Sequence, residues 1–155
     1  GSFEGSVAAD QTWMGIMAPT VDPRTQEIWE AVRDARDAAV DFLRERFEAG
    51  EDVRGLEVDD VARSVISERG YGPYFVHRTG HSIDCDLHGS GPNLDNLESR
   101  DDRRLRTGVA FSVEPGIYIE DDIGIRSEIN VYWGPNGPEV TPVASQSDIF
   151  VLLDD

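Results

Sequence analysis

Val109-Ala-Phe-Ser-Val-Glu-Pro-Gly-Ile-Tyr-Ile-Glu-Asp-Asp-Ile-Gly-Ile-Arg-Ser-Glu-Ile-Asn-Val-Tyr-Trp133 decides the fold. Its apolar runs are short, rich in Val, Ile and aromatic residues, and cut by Pro-Gly, Asp-Asp and Gly, which is the texture of strands and turns. The pattern predicts strands at Val109–Val113, Ile117–Ile119 and Ile123–Trp133. Two acids interrupt it. Glu114 breaks an apolar strand just before Pro115-Gly116 and must point inward or sit at a strand end, where a carboxylate is costly without a cation, a donor or a metal. Glu128 shares a face with Arg126, because side chains two apart on a strand point the same way. An ordinary ion pair on a solvated face explains that pair equally well.

Outward from this stretch, Tyr74–His77, Glu139–Pro142 and Ile149–Leu153 also read as strands, with Pro135-Asn-Gly137 as a hairpin turn. Upstream the period changes. Asp22-Pro23 is an N-cap followed by a proline in the first helical turn, Ile28, Val32, Ala35, Ala39, Phe42, Leu43 and Phe47 form one stripe, and Gly50 ends the helix. A second helix is expected from Val58 to Arg69, with Val58, Val61, Ala62, Val65 and Ile66 buried and Gly70 as its stop. Ser6–Met17 has no helical period and reads as strand, whereas Asp84–Thr107 reads as a long irregular loop. Two helices followed by antiparallel strands make an α+β fold, with each helix laying its single apolar stripe on one face of the sheet and Glu114 and Glu128 on the opposite, concave face.

Composition narrows the classes of function. Among 155 residues there are 31 acidic and 14 basic side chains, a formal charge of -17, and every basic residue is Arg. Such a surface repels phosphate backbones and argues against a nucleic-acid partner. The absence of Lys fits either a salt-rich cytoplasm or a bias toward Arg. One Cys, Cys85, leaves no intramolecular disulfide and no Cys-based zinc site. With no bilayer-spanning apolar run and no signal-like start, the expectation is a cytoplasmic protein without a membrane partner.

All three histidines, His77, His81 and His88, fall in His-Arg-Thr-Gly-His-Ser-Ile-Asp-Cys-Asp-Leu-His. The helical zinc-protease pattern needs Glu after its first His, and Arg78 stands there instead. Loop histidines making ordinary hydrogen bonds remain an alternative. With Asp10, Glu114 and Glu128, however, His81 completes a set of carboxylates plus one imidazole, which suits a divalent ion such as Mn, Co, Zn or Fe.

In their order after two helices, His77-Arg-Thr-Gly-His81, Phe111-Ser-Val-Glu-Pro-Gly-Ile-Tyr118 and Gly124-Ile-Arg-Ser-Glu128 resemble the C-terminal part of the catalytic domain of the M24 metallopeptidases. That family includes aminopeptidase P, Xaa-Pro dipeptidase, methionine aminopeptidase and creatinase. The resemblance runs from Val7 to Leu152. The longer runs Arg78-Thr-Gly-His-Ser-Ile83, Leu87-His-Gly-Ser-Gly-Pro-Asn-Leu94 and Ala9-Asp-Gln-Thr-Trp-Met14 are similar to a subgroup of Xaa-Pro aminopeptidases.

The resemblance implies a truncated pita-bread fold, two helices packed on a curved antiparallel sheet, in a single catalytic-type domain over residues 1–155 that lacks its N-terminal half, with Gly1-Ser2 as a cloning remnant. It implies metal ligation by Asp10, His81, Glu114 and Glu128, proton transfer by Glu114, and contacts from His77 and His88 to the substrate and the tetrahedral intermediate. Arg126 would brace the bridging carboxylate. The implied reaction releases the N-terminal residue of Xaa-Pro peptides through a hydroxide shared by two divalent ions, with Mn the first choice. The family's first Asp ligand would fall upstream of Phe3, so at most one ion is expected here and the fragment is expected to be inactive alone. Ser82, Asp84, Gly89 and Ile129 depart from the family pattern and bear on substrate class. A non-catalytic peptide- or protein-binding module of the same fold, a creatinase-like amidinohydrolase and a homodimer therefore stay open.

Overall fold

The computed structural model describes residues 7–153, so Gly1-Ser2, Phe3 and the start of the expected Ser6–Met17 strand lie outside the described residues. The element order is β1 (Gly15–Ile16), α1 (Pro23–Glu48), α2 (Gly55–Glu68), a 3-10 turn (Gly72–Tyr74), β2 (Ser82–Ile83), β3 (Ala110–Val113), β4 (Gly116–Ile119), β5 (Ile123–Arg126), β6 (Ile129–Gly134), β7 (Gly137–Thr141) and β8 (Phe150–Val151). α1 starts where its cap requires: the Asp22 carboxylate accepts the Arg24 and Thr25 N–H groups. Its buried stripe, including Ile28, Trp29, Val32, Ala35, Ala39 and Leu43, packs against α2 and against β4, β5 and β7. α2 begins three residues before the expected Val58, at Gly55, where the Glu57 carboxylate accepts the Arg54 N–H at 2.8 Å.

The sheet is divided into parts. β2, β3, β6 and β7 form a four-stranded antiparallel sheet in that order, β4 and β5 form a separate antiparallel ribbon, and β1 pairs with β8 in parallel. The expected single strand Ile123–Trp133 is therefore two strands. Between them Ser127 and Glu128 leave one sheet for the other, with Ser127 N–H donating to Pro115 O and Glu128 N–H to Thr12 O. The expected strand over Tyr74–His77 is absent, because the Phe75 and His77 carbonyls are taken by the Arg63 guanidinium and have no strand partner. Within Ser6–Met17 the described pairing is confined to Gly15–Ile16 and a bridge from Thr12 to Glu128.

Alternation along the strands separates core from site. Phe111, Val113, Ile117, Ile125, Ile129 and Val131 join the helices in the apolar core. Their neighbours Ser112, Glu114, Tyr118, Arg126 and Asn130 carry hydrogen bonds on the other side.

Candidate metal centre

Asp10, His81 and Glu128 come from three distant parts of the chain, yet each offers one ligand atom and these atoms lie within 4.8 Å of one another. Asp10 is on an irregular segment held by its backbone: its N–H donates to Asn130 Oδ1 at 3.0 Å, and Asn130 Nδ2 donates to its carbonyl. His81 is buried on a stretch sewn between two neighbours. Gly80 exchanges hydrogen bonds with Leu94, and the His81 N–H donates to Ser112 Oγ at 2.9 Å. Residue 80 has to be glycine, since a Cβ there would lie 1.9 Å from the Ser112 carbonyl oxygen. Glu128 sits at the break between β5 and β6, with 1% of its side chain exposed.

Glu114 stands beside this trio. Its Oε1 is 3.4 Å from His81 Nε2 and accepts Ser112 Oγ–H at 3.0 Å, while its Oε2 faces Arg126 at 3.4 Å. Arg126 also reaches Glu128 at 3.6 Å and donates to Thr12 Oγ1, whose own hydroxyl donates to Glu128 Oε2 at 2.7 Å. Thr12, Ser112 and Asn130 went unread in the sequence. Their signal is slight, because a hydroxyl or amide on a strand is common and these three gain meaning only through partners elsewhere.

His77, His88, Arg78 and Glu98 complete a cleft of about 220 Å³ with Asp10, His81, Glu114 and Arg126. His77 Nδ1 lies 2.7 Å from the Arg78 carbonyl and Nε2 lies 2.9 Å from the Tyr118 hydroxyl, so both ring nitrogens are engaged within the protein. His88 is exposed and sets its ring edge-on to His81 at 4.4 Å between centroids.

The donor chemistry fits a divalent cation. Nδ1 of His81 donates to the Ser82 carbonyl at 3.1 Å, and in that tautomer Nε2 presents a lone pair toward Asp10 and Glu114. Glu128 Oε1 is buried without a hydrogen-bond partner among the described residues. A lone pair and an orphaned carboxylate oxygen facing two further carboxylates form a costly arrangement that a cation satisfies. Burial pushes the Glu114 carboxyl above its ordinary value, against the pull of Ser112, His81 and Arg126; burial does the same to Glu128 against its bond from Thr12. Burial lowers His77, keeping that ring neutral at pH 7. A second group, Asp84, Cys85 and Asp86, lies on an outer loop where the Asp84 carboxylate already accepts the Asp86 and Ser90 N–H groups.

Both helices reach the site through a buried charge, although their stripes read as scaffold. Arg36 of α1, 1% exposed, donates to Ser127 Oγ at 2.7 Å, next to Glu128. Asp59 of α2 accepts both the N–H and the hydroxyl of Thr79, two residues before His81.

A family model described as metallopeptidase family M24 matches residues 2–134. The chain is 38% identical over 105 residues to an Xaa-Pro dipeptidase of Lactobacillus delbrueckii subsp. lactis, covering 68% of this chain and 26% of that protein. It is 32% identical over 122 residues to an Xaa-Pro dipeptidase of Pyrococcus furiosus, covering 79% of this chain and 32% of that protein. Among solved structures, dipeptidase PepE from Mycobacterium ulcerans superposes with a TM-score of 0.83 at 30% identity, over 97% of this chain and 38% of that one. The Xaa-Pro dipeptidase from Bacillus anthracis gives 0.81 at 31% identity, over 94% and 38%. The chain thus spans 26% to 38% of the length of these relatives.

Proposed function

The chain belongs to metallopeptidase family M24, and from that membership we propose that it carries one ion's share of a metal-dependent peptidase site acting on peptides with proline in the second position. The observation that carries this reading is the orphaned Glu128 Oε1 within a trio whose other members are Asp10 and His81. Those three, with Glu114, would hold a divalent ion, Mn in the first instance. Such an ion supplies a nucleophile at neutral pH and positive charge for the developing oxyanion. Relatives named Xaa-Pro dipeptidase support the substrate class. In the intact protein we assign a second ion to donors beyond those described, so this chain holds one and lacks turnover by itself.

The chain's own residues then divide the work. Glu114, its pKa raised by burial and its carboxylate aimed by Ser112 and Arg126, is the group placed to hold and return a proton. Arg126 and Thr12 keep Glu128 Oε2 engaged, leaving Oε1 for the ion. His88, exposed at the cleft, is free to donate to a substrate carbonyl. His77 reaches substrate only by exchanging its Tyr118 partner, so at rest it acts through Tyr118.

Mn(II) titration of the chain by calorimetry is expected to show one site, lost in Glu128→Gln and His81→Ala. Absence of binding at millimolar Mn(II) would overturn the metal reading. The full-length protein should release proline from an Xaa-Pro dipeptide and leave creatine intact; turnover of creatine alone would assign the amidinohydrolase reaction, and turnover of neither would assign a binding module.

A further inference from the structure

The Asp59–Arg63 pair of α2 is not among the residues lining the cleft, yet it touches the backbone that carries the site. Asp59 is 0% exposed and accepts hydrogen bonds from three segments. Arg63 donates from Nε and NH2 at 3.1 and 3.0 Å, Thr79 from N and Oγ1 at 2.9 and 2.6 Å, and Asn96 from N at 3.0 Å. Arg63 turns its remaining N–H groups to the Phe75 and His77 carbonyls, both at 2.9 Å, and stacks on the Phe75 ring at 4.2 Å. That ring meets the His77 imidazole edge-on at 5.3 Å.

Two routes leave this one carboxylate. Through Arg63 it fixes the backbone and ring neighbour of His77. Through Thr79 it reaches the other two groups, because the Thr79 carbonyl accepts the Glu114 N–H at 2.7 Å and the chain passes from Thr79 through Gly80 directly to His81. Gly80 is too tightly enclosed by Ser112 to absorb a shift, so a displacement of Thr79 is passed on to His81. Ser112 Oγ then couples His81 to Glu114, since it accepts the His81 N–H and donates to Glu114 Oε1.

Stability alone does not account for the pair. A buried carboxylate and guanidinium lose hydration that their attraction roughly offsets, and a packed apolar pair would serve the core as well. An apolar pair could not satisfy the Thr79 N–H or the Phe75 and His77 carbonyls, which have no strand partner. We propose that Asp59, acting with Arg63, is a positioning residue for the metal centre, setting the path of residues 75–81 so that His81 and Glu114 face the same ion. The inference rests on the reading of His81 and Glu114 as metal-holding groups.

Asp59→Asn keeps the shape and one acceptor but removes the charge, and Ile66→Val, at a buried core position of the same helix, serves as a control for lost stability. Each chain is titrated with Co(II) by visible absorption, and the metal-free chains are followed by amide hydrogen exchange. Asp59→Asn is expected to weaken Co(II) binding about ten- to a hundredfold, shift the Co(II) band, and speed exchange at the His81 and Glu114 amides about tenfold. Ile66→Val should leave Co(II) affinity within about twofold. The proposal is overturned if Asp59→Asn loses stability as Ile66→Val does while affinity, band and those amides stay as in the parent. If the parent chain binds no Co(II), the metal reading fails by itself and the amide exchange still decides whether Asp59 holds His81 and Glu114. Should Asp59→Asn fail to fold, Arg63→Lys takes its place, with a loss of about three- to tenfold expected and an unchanged affinity and band overturning the proposal.

Discussion

Two irregular segments border the cleft and are built on different principles. Residues 84–107 bond outward to Gly80, Ser82, Val53 and Asp59 but also cap themselves with their own acids: Asp95 accepts the N–H groups of Leu97, Glu98 and Ser99 and the Ser99 hydroxyl, and Asp101 binds the Asn93 N–H and the Arg103 side chain. The stretch from Ala8 to Ile16 is held from outside. Its hydrogen bonds go to Asp84, Asn130, Glu128, Gln146, Phe150 and Leu152. Local capping makes a loop whose shape depends less on changes elsewhere, whereas remote clamping makes a segment whose place depends on the sheet. In this chain the remotely clamped segment carries Asp10.

Asp95→Ala should give the largest effect, because it removes a fully buried carboxylate that accepts three backbone N–H groups. A loss of about 3 kcal/mol is expected in urea unfolding, with Mn(II) affinity within about twofold of the parent. An equal collapse of Mn(II) affinity would erase the distinction between the two segments. Asn130→Ala should do the reverse, lowering stability by about 1 kcal/mol while weakening Mn(II) about ten- to a hundredfold through displacement of Asp10. Calorimetry on the two variants side by side tests the crossing.

Titration sharpens the contrast, since the sheet carboxylates beside the clamped segment and the acids of the loop respond to pH in opposite senses. Burial raises Glu114 and Glu128 above their ordinary 4.5, so between 4.5 and the folded values the native state binds more protons than the unfolded one. The stability this confers is present at low pH and is lost as pH rises through the folded values. In the loop, Asp101 is lowered: burial works against ionisation, but the Arg103 bonds and the Asn93 N–H outweigh it. Asp84 is lowered by the Asp86 and Ser90 N–H groups. Their contribution is present above their ordinary 3.8 and lost as pH falls through the folded values. In the metal-free chain the Glu114 and Glu128 contribution should therefore fade as pH rises above 4.5, while the lowered His77 contributes in the opposite sense as pH rises toward its ordinary 6.5. The pH dependence that Glu114→Gln and Glu128→Gln remove from metal-free unfolding isolates the carboxylates, and variants that leave the pH profile of the parent unchanged would contradict the site's electrostatics. The smallest effect is expected from Thr12→Val, which removes one bond to Glu128 Oε2 and should weaken Mn(II) by about threefold to tenfold.

Legibility in the sequence followed the same division. α1 could be read from Asp22-Pro23 to Gly50 because its cap, stripe and stop are local. The loop over 84–107 was likewise visible in its Asp, Asn, Gly and Ser residues. The start of α2 was missed because its N-cap position is Arg54 and the closing carboxylate, Glu57, lies inside the helix. Tyr74–His77 had strand composition, but the carbonyls there answer to Arg63, a partner on α2 that periodicity does not reveal. The candidate donors Asp10, His81, Glu114 and Glu128 were named through motifs, whereas Thr12, Asn130, Arg36 and Asp59 act through geometry that forms only in three dimensions.

The Asp10–Asn130 clamp also has a consequence for how the molecule comes into being. Its partners are 120 residues apart, so on a translating ribosome the clamp waits on the order of ten seconds between synthesis of its first and second halves. Over that interval the leading segment has no Asn130, Glu128 or Phe150 to hold it, and Trp13 and Met17, still 44% and 73% exposed in the finished fold, are available to chaperones or to other nascent chains. Closing so long a loop early is entropically unfavourable compared with zipping α1 onto α2 or β6 onto β7. Asp10 is therefore the first of the four candidate donors to be made, and its clamp cannot close until Asn130 has followed.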